Sequence, residues 1–152
     1  MAFKITYSVQ NADMTELNKV YEKTYKEQTL KTGQEFPSWL GYEPVKTGQF
    51  IEDRNPANTD ELLAKFHIFP ESLIDKLFEK SRQAQKTWYK MPWKDKVKLM
   101  RKAADLISER NMEMATIVSM EVGKSRLEAL GDVEEGADLR PVLWHGRNPF
   151  IN

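Results

Sequence analysis

Glu128, Asp132 and Glu135 follow one another at i, i+4 and i+7, the spacing that sets three carboxylates on one face of a helix. Glu134 and Asp138 lie beside them. Carboxylates gathered in this way can move protons or hold a cation. The plainer reading is that neighbouring carboxylates on a helix face water. The two histidines, His67 and His145, are too few and too far apart to suggest a histidine metal site. His67 sits in a strand-like run between Phe66 and Phe69 and reads as structural; His145 has no acidic residue near it in sequence. The chain has no cysteine, which excludes disulfides, thiolate-held zinc or iron–sulfur clusters, and a thiolate nucleophile. No G-x-G-x-x-G or G-x-x-x-x-G-K-[ST] phosphate loop and no nucleophile elbow is present. The residue types alone assemble no active site.

Two further clusters invite functional readings. Lys94, Lys96, Lys98, Arg101 and Lys102 could form an anion-binding patch, but with 23 basic and 23 acidic residues the chain carries no net charge. A solvated face of an amphipathic helix is the favoured reading. Trp88, Tyr89, Met91, Pro92 and Trp93 form an aromatic-dense corner that could stack on rings but is expected to pack in the core. No nucleic-acid or membrane partner is expected. The first residues show no signal-peptide pattern and no run reaches a membrane span, so the expected location is cytoplasmic.

The elements that must position these residues fall into four stretches. Residues 1–30 form a polar, lysine-rich extension, with Leu17, Val20, Tyr21 and Tyr25 predicting one helix over Thr15–Leu30. Residues 31–69 are punctuated by Gly33, Pro37, Gly41, Pro44, Gly48 and Pro56. They predict two or three antiparallel strands (Tyr42–Val45, Gln49–Glu52, Leu62–Phe69) with a turn at Asn55–Asp60. Residues 70–139 predict four helices in a bundle-like unit. The first carries Leu73, Ile74, Leu77, Phe78, Ser81, Ala84 and Trp88 on one face and ends before Pro92. The second spans about Lys94–Arg110 and the third about Met112–Val122, closed by Gly123 as a left-handed cap. Ser125 to Glu128 reads as a capping box opening the fourth. Residues 140–152, with Pro141, Gly146 and Pro149, form an atypical tail. The fold class is α+β: an N-terminal helix, a small antiparallel hairpin region, then four consecutive helices. The wide apolar faces predict self-association.

Several of these strings resemble the aldehyde dehydrogenases. Glu121-Val122-Gly123-Lys124, Glu128-Ala129, Asp132-Val133-Glu134-Glu135 and Asp138 are similar to that family's helix pair. Asn55-Pro56-Ala57-Asn58 resembles its early turn between strands, and Trp88 to Pro92 with Lys102 to Ile107 resembles a later segment. The phrase Gly41-Tyr42-Glu43-Pro44-Val45-Lys46-Thr47-Gly48 and the N-terminal extension are similar to the 1-pyrroline-5-carboxylate dehydrogenase branch. The resemblance covers about residues 15–139, and it implies the N-terminal part of the fold without its Rossmann-like sheet.

The family's nucleophilic cysteine, base glutamate and glycine-rich turn come later in the chain and have no counterpart here. The resemblance therefore implies NAD(P)-dependent oxidation of glutamate semialdehyde to glutamate, in proline degradation, for a full-length relative. It implies no catalytic, cofactor-binding or metal residue in this chain, and inactivity of the chain alone. It assigns a substrate-side carboxylate to Glu135, or to Glu134 one position earlier. Pro141 follows soon after the match fades, which suggests a reading-frame change at about residue 139. A non-enzymatic helical interaction module is the alternative reading.

Overall fold

The structure, a computed structural model, describes residues 14–137. Within it the chain divides into two compact units, one of residues up to Gln28 together with those from Pro92 onward, the other of Thr29–Met91.

The first unit is helical. It holds α1 (Thr15–Thr29, its last residue passing to the other unit), α3 (Trp93–Glu109), α4 (Asn111–Val122) and α5 (Arg126–Ala137). Their core joins Leu17 and Tyr21 of α1 to Met112 and Ala115 of α4 and to Ala129, Leu130 and Val133 of α5. Ala115 and Ala129 are fully buried. Such small side chains let two helix backbones approach closely, and α5 packs on both α4 and α3. Thr116, also fully buried, satisfies its hydroxyl by donating to the Met112 carbonyl at 2.8 Å.

Local chemistry sets the helix ends. Gly123 takes φ +72°, which turns the chain out of α4, and its N–H donates to the Ser119 carbonyl. The capping box forms as the sequence predicts. The Ser125 N–H and hydroxyl both donate to Glu128 Oε2, at 3.2 and 2.7 Å, and the Glu128 N–H donates back to Ser125 Oγ at 3.4 Å. Arg126 fastens α1 to the start of α5. Its guanidinium lies 4.5 Å from the Tyr21 ring centroid, donates to Asn18 Oδ1 at 3.1 Å and pairs with Glu22.

The second unit contains β1 (Gln34–Phe36), β2 (Ser38–Leu40), β3 (Glu43–Val45), β4 (Phe50–Arg54), β5 (Leu62–His67), a 3-10 turn at Glu71–Leu73 and α2 (Ile74–Lys90). One sheet has the order β1-β5-β4, and β2 and β3 form a separate antiparallel pair. The β4–β5 hairpin is antiparallel with Phe50 opposite His67 and Asp53 opposite Ala64. Its turn is built by Asn55, whose side-chain oxygen accepts the Ala57 N–H at 2.9 Å while its carbonyl accepts the Asn58 N–H. Asn55 Nδ2 donates to Glu61 Oε2 at 2.7 Å across the turn. Gly41, at φ +67°, takes the first of the two loop positions between β2 and β3.

Three differences from the sequence expectations have physical causes. The strand region is not purely antiparallel, because β1 pairs parallel to β5 with Gln34 opposite Ala64 and Phe36 opposite Phe66. β1 and β2 are three residues each with Pro37 between them, too short to show a period. The four helices after Pro70 do not form one bundle: α2 belongs with the sheets, and α1 takes the fourth place beside α3, α4 and α5. Finally, the aromatic corner is not core: Tyr89 and Trp93 are largely exposed and Trp88 is partly so. No residue of α2, which carries Trp88 and Tyr89, is buried.

Candidate functional site

The carboxylates lie on α5 and meet the loop that precedes it. Lys124 forms an ion pair with Asp132. The carboxylate's hydrogen bond, more than the nearby charges of Asp132, Glu128 and Glu135, holds the Lys124 ammonium above its ordinary range. Hydrogen bonds from the Ser125 hydroxyl and N–H hold the Glu128 carboxyl below its ordinary range, with a smaller contribution from the Lys124 charge. Lys124 therefore stays protonated and Glu128 stays ionised at neutral pH. General acid–base work needs a group that exchanges its proton near the working pH. These two are held away from that condition, and Glu128 serves the helix cap.

The structure separates the two alternative substrate-side positions. Glu134 turns toward α4, where Asn111, itself buried, donates to Glu134 Oε1 at 2.6 Å. Glu135 is exposed. Glu134 thus joins two helices, whereas Glu135 faces outward. Among the described residues, no three His, Asp or Glu side chains are placed to hold a metal ion. Asp138, His145, the atypical tail and the expected frame change at about residue 139 lie outside the described residues.

His67 is buried in the second unit. Its Nδ1 accepts the N–H groups of both Thr47 and Gly48 at 3.1 Å, and its carbonyl accepts the Ser38 hydroxyl. This fixes the ring proton on Nε2 and ties the Thr47–Gly48 loop and β2 to β5. The role is structural, as its sequence surroundings suggest. In the basic run on α3, Lys98 bonds Asp95 at 3.3 Å and Lys94 lies over the Trp93 ring. Sequence reasoning missed Lys124 as the counter-ion of the acidic face and Arg126 as the clamp on α1. Neither has a motif, because each partner is supplied by folding.

A nucleotide phosphate needs converging backbone N–H groups, commonly at a glycine turn leading from a strand into a helix. The passage from β5 to α2 runs through Ile68-Phe69-Pro70 and contains no glycine. Pro70 also removes one N–H from that passage. Among the described residues, this passage does not fit a dinucleotide cradle.

The sequence profile of the Aldehyde dehydrogenase family matches residues 42–142. The chain belongs to the aldehyde dehydrogenase family. The match runs three residues past the expected break at about 139. A 1-pyrroline-5-carboxylate dehydrogenase of Staphylococcus haemolyticus is 34% identical over 118 residues, covering 78% of this chain and 23% of that protein. The enzyme of the same name from Staphylococcus epidermidis is 35% identical over 106 residues, covering 70% of this chain and 21% of that protein. Among solved structures, the Thermus 1-pyrroline-5-carboxylate dehydrogenase with bound NAD superposes with a TM-score of 0.80 at 25% identity, over 92% of this chain and 27% of that one. The α+β fold is thus that of part of an aldehyde dehydrogenase. The chain spans about a quarter of the length of the curated relatives it matches.

Proposed function

We propose that these residues are the N-terminal scaffold of a 1-pyrroline-5-carboxylate dehydrogenase. The complete enzyme oxidises glutamate semialdehyde to glutamate with NAD or NADP, in proline degradation in the cytoplasm. The superposition on the Thermus enzyme over 92% of the chain carries this reading. The chain's own contribution is mechanical. The helical unit presents α5, and the hairpin unit braces its strands through His67 and Asn55.

The chain alone is inactive. Aldehyde oxidation of this kind uses a thiolate that adds to the aldehyde carbon and a nicotinamide that takes the hydride. The chain has no cysteine, and among the described residues the passage from β5 to α2 has no glycine turn for a dinucleotide. The exposed apolar side chains of the isolated chain also drive self-association. Glu135 is the substrate-side carboxylate, supported by its exposure on α5 while Glu134 is engaged by Asn111.

The test is NADH formation from the semialdehyde. The purified chain should give none above background. Co-expressed with the unmatched three quarters of the Staphylococcus haemolyticus relative, it should restore turnover. Activity of the chain alone, or no turnover from a soluble complex of the two, defeats the proposal. In that complex Glu135→Gln should raise KM for the semialdehyde, whereas Glu134→Gln should loosen the α4–α5 contact without a selective effect on KM.

A further inference from the structure

His67 keeps only 6% of its surface. Its ring lies 4.5 Å, centroid to centroid, from that of Phe50, which stands opposite it on β4. One lone pair, on Nδ1, receives the N–H groups of both Thr47 and Gly48 at 3.1 Å. These two residues are the middle of the loop 46–49 that joins β3 to β4. The loop has a second, exposed hold, the Thr47 hydroxyl donating to the Ile68 carbonyl at 3.1 Å. An imidazole that gains a proton donates from both nitrogens and accepts at neither. Turning the ring over restores nothing, since the imidazolium has no acceptor on either edge. Protonation of His67 and closure of this loop therefore exclude one another.

We infer that His67 is an acid-sensitive latch. Protonation of its ring releases the Thr47–Gly48 segment from β5 and frees the joint between the β2–β3 pair and the three-stranded sheet. Histidine is the side chain whose charge changes under mildly acidic conditions. Charged groups share the ring's side of the sheet on each of its strands: Lys65 on β5, Glu52 opposite it on β4 and Glu35 opposite it on β1. Lys46 precedes Thr47 in the loop. Two cations thus stand against two carboxylates, and Glu52 is engaged by Arg54 at 2.8 Å. The lone pair, more than these charges, sets the response, because both N–H groups need what the proton would take. Ser38 on β2 donates to the His67 carbonyl and not to the ring, so that bond survives protonation. The released state keeps β5 in its ladder and opens the loop alone. An exposed hydroxyl bond such as that from Thr47 contributes too little to hold it shut.

Hydrogen exchange of the full 152-residue chain, corrected for the intrinsic pH dependence of amide exchange, reads the latch directly. Protection at Thr47 and Gly48 should fall by about tenfold or more between about pH 7.5 and about pH 5.5, while the β4–β5 ladder changes by less than about threefold. His67→Asn places an amide oxygen near the position of Nδ1 that accepts without titrating, so its loop protection should change by less than about threefold over that interval. His67→Phe, with no acceptor, should leave the loop unprotected at both pH values. Wild-type loop protection indifferent to pH overturns the inference, as does a fall in His67→Asn equal to that of the wild type. An equal fall along the whole β4–β5 ladder also overturns it, since the ring would then govern the sheet and not the joint. Where His67→Asn does not protect the loop at neutral pH, the ring nitrogen resonances of wild-type His67 decide. Nδ1 should pass from acceptor to donor over the interval in which the loop opens, and ring protonation with the loop still protected overturns the latch.

Discussion

In the helical unit, Leu17 and Tyr21 reach residues more than 90 positions away and are buried against them, and Leu130 retains only 1% of its surface. In the hairpin unit, Phe36, Phe66 and Ile51 lie in one row across β1, β5 and β4, and all three are exposed. Both units draw on the same residue types. Leu40, Leu63 and Ala64 of the hairpin unit are buried, so the difference lies in this row, which has no layer over it. The helices of the first unit cover one another, while the small sheet and α2 are held by directed polar contacts at His67, Asn55 and Lys80. A fold can thus be fixed by packing in one place and by hydrogen bonds in another, and the two should respond differently to substitution.

The largest expected effect is in the packed unit. Leu130→Ala should lower its stability by about 2–5 kcal/mol, the range for opening a cavity in a filled core. Hydrogen exchange read by mass spectrometry should show the loss in α4 and α5, and equal loss in β5 would break the contrast. His67→Ala should cost the hairpin unit about 1–3 kcal/mol, because the Thr47 and Gly48 N–H groups lose their acceptor. Unchanged exchange at Thr47 and Gly48 would show that polar contacts do not hold this unit. Gly123→Ala should cost about 1 kcal/mol through the left-handed backbone between α4 and α5, seen as a lower urea midpoint.

The smallest effect is a pH dependence shared by both units. The hydrogen bond from Lys80, then its charge, holds the Glu43 carboxyl below its ordinary value of 4.5, and the Ser125 groups do the same for Glu128. A carboxyl held low in the folded state adds stability above its unfolded titration and loses it as pH falls through the folded value. Urea midpoints should therefore decline below about pH 4.5. Glu43→Gln and Glu128→Gln should each flatten that decline slightly. A decline identical to wild type in both variants would remove these pairs from the account.

Helix ends were legible wherever one residue type serves one backbone need. The sequence predicts a helix over Thr15–Leu30 and α1 spans Thr15–Thr29. Gly123 and the Ser125–Glu128 box mark the α4–α5 junction because a positive φ and unsatisfied N–H groups can be met by few side chains. The Asn55 turn was readable for the same reason. β1 and β2 were not, since three residues cannot display an alternation and β1 finds its partner in β5, 30 positions on. The assignment of α2 was also hidden. Its stripe predicts a neighbour without saying which one. At the acidic face the carboxylate spacing was plain, but its pairing with Lys124 and the split between Glu134 and Glu135 required the folded positions of Lys124 and Asn111.

The helical unit is discontinuous along the chain, its first helix and its last three flanking the whole of the other unit. A ribosome delivers α1 first, then every strand and α2, and only afterwards the residues that bury Tyr21. Asn18 waits for Arg126, 108 positions downstream, before its hydrogen bond can form. Closing so long a loop costs entropy that local contacts do not repay until α4 and α5 exist. During synthesis α1 is therefore an amphipathic segment without its core, while the β4–β5 hairpin can already close on local contacts. The order of assembly runs from the middle of the chain outward, and α1 joins last although it is made first.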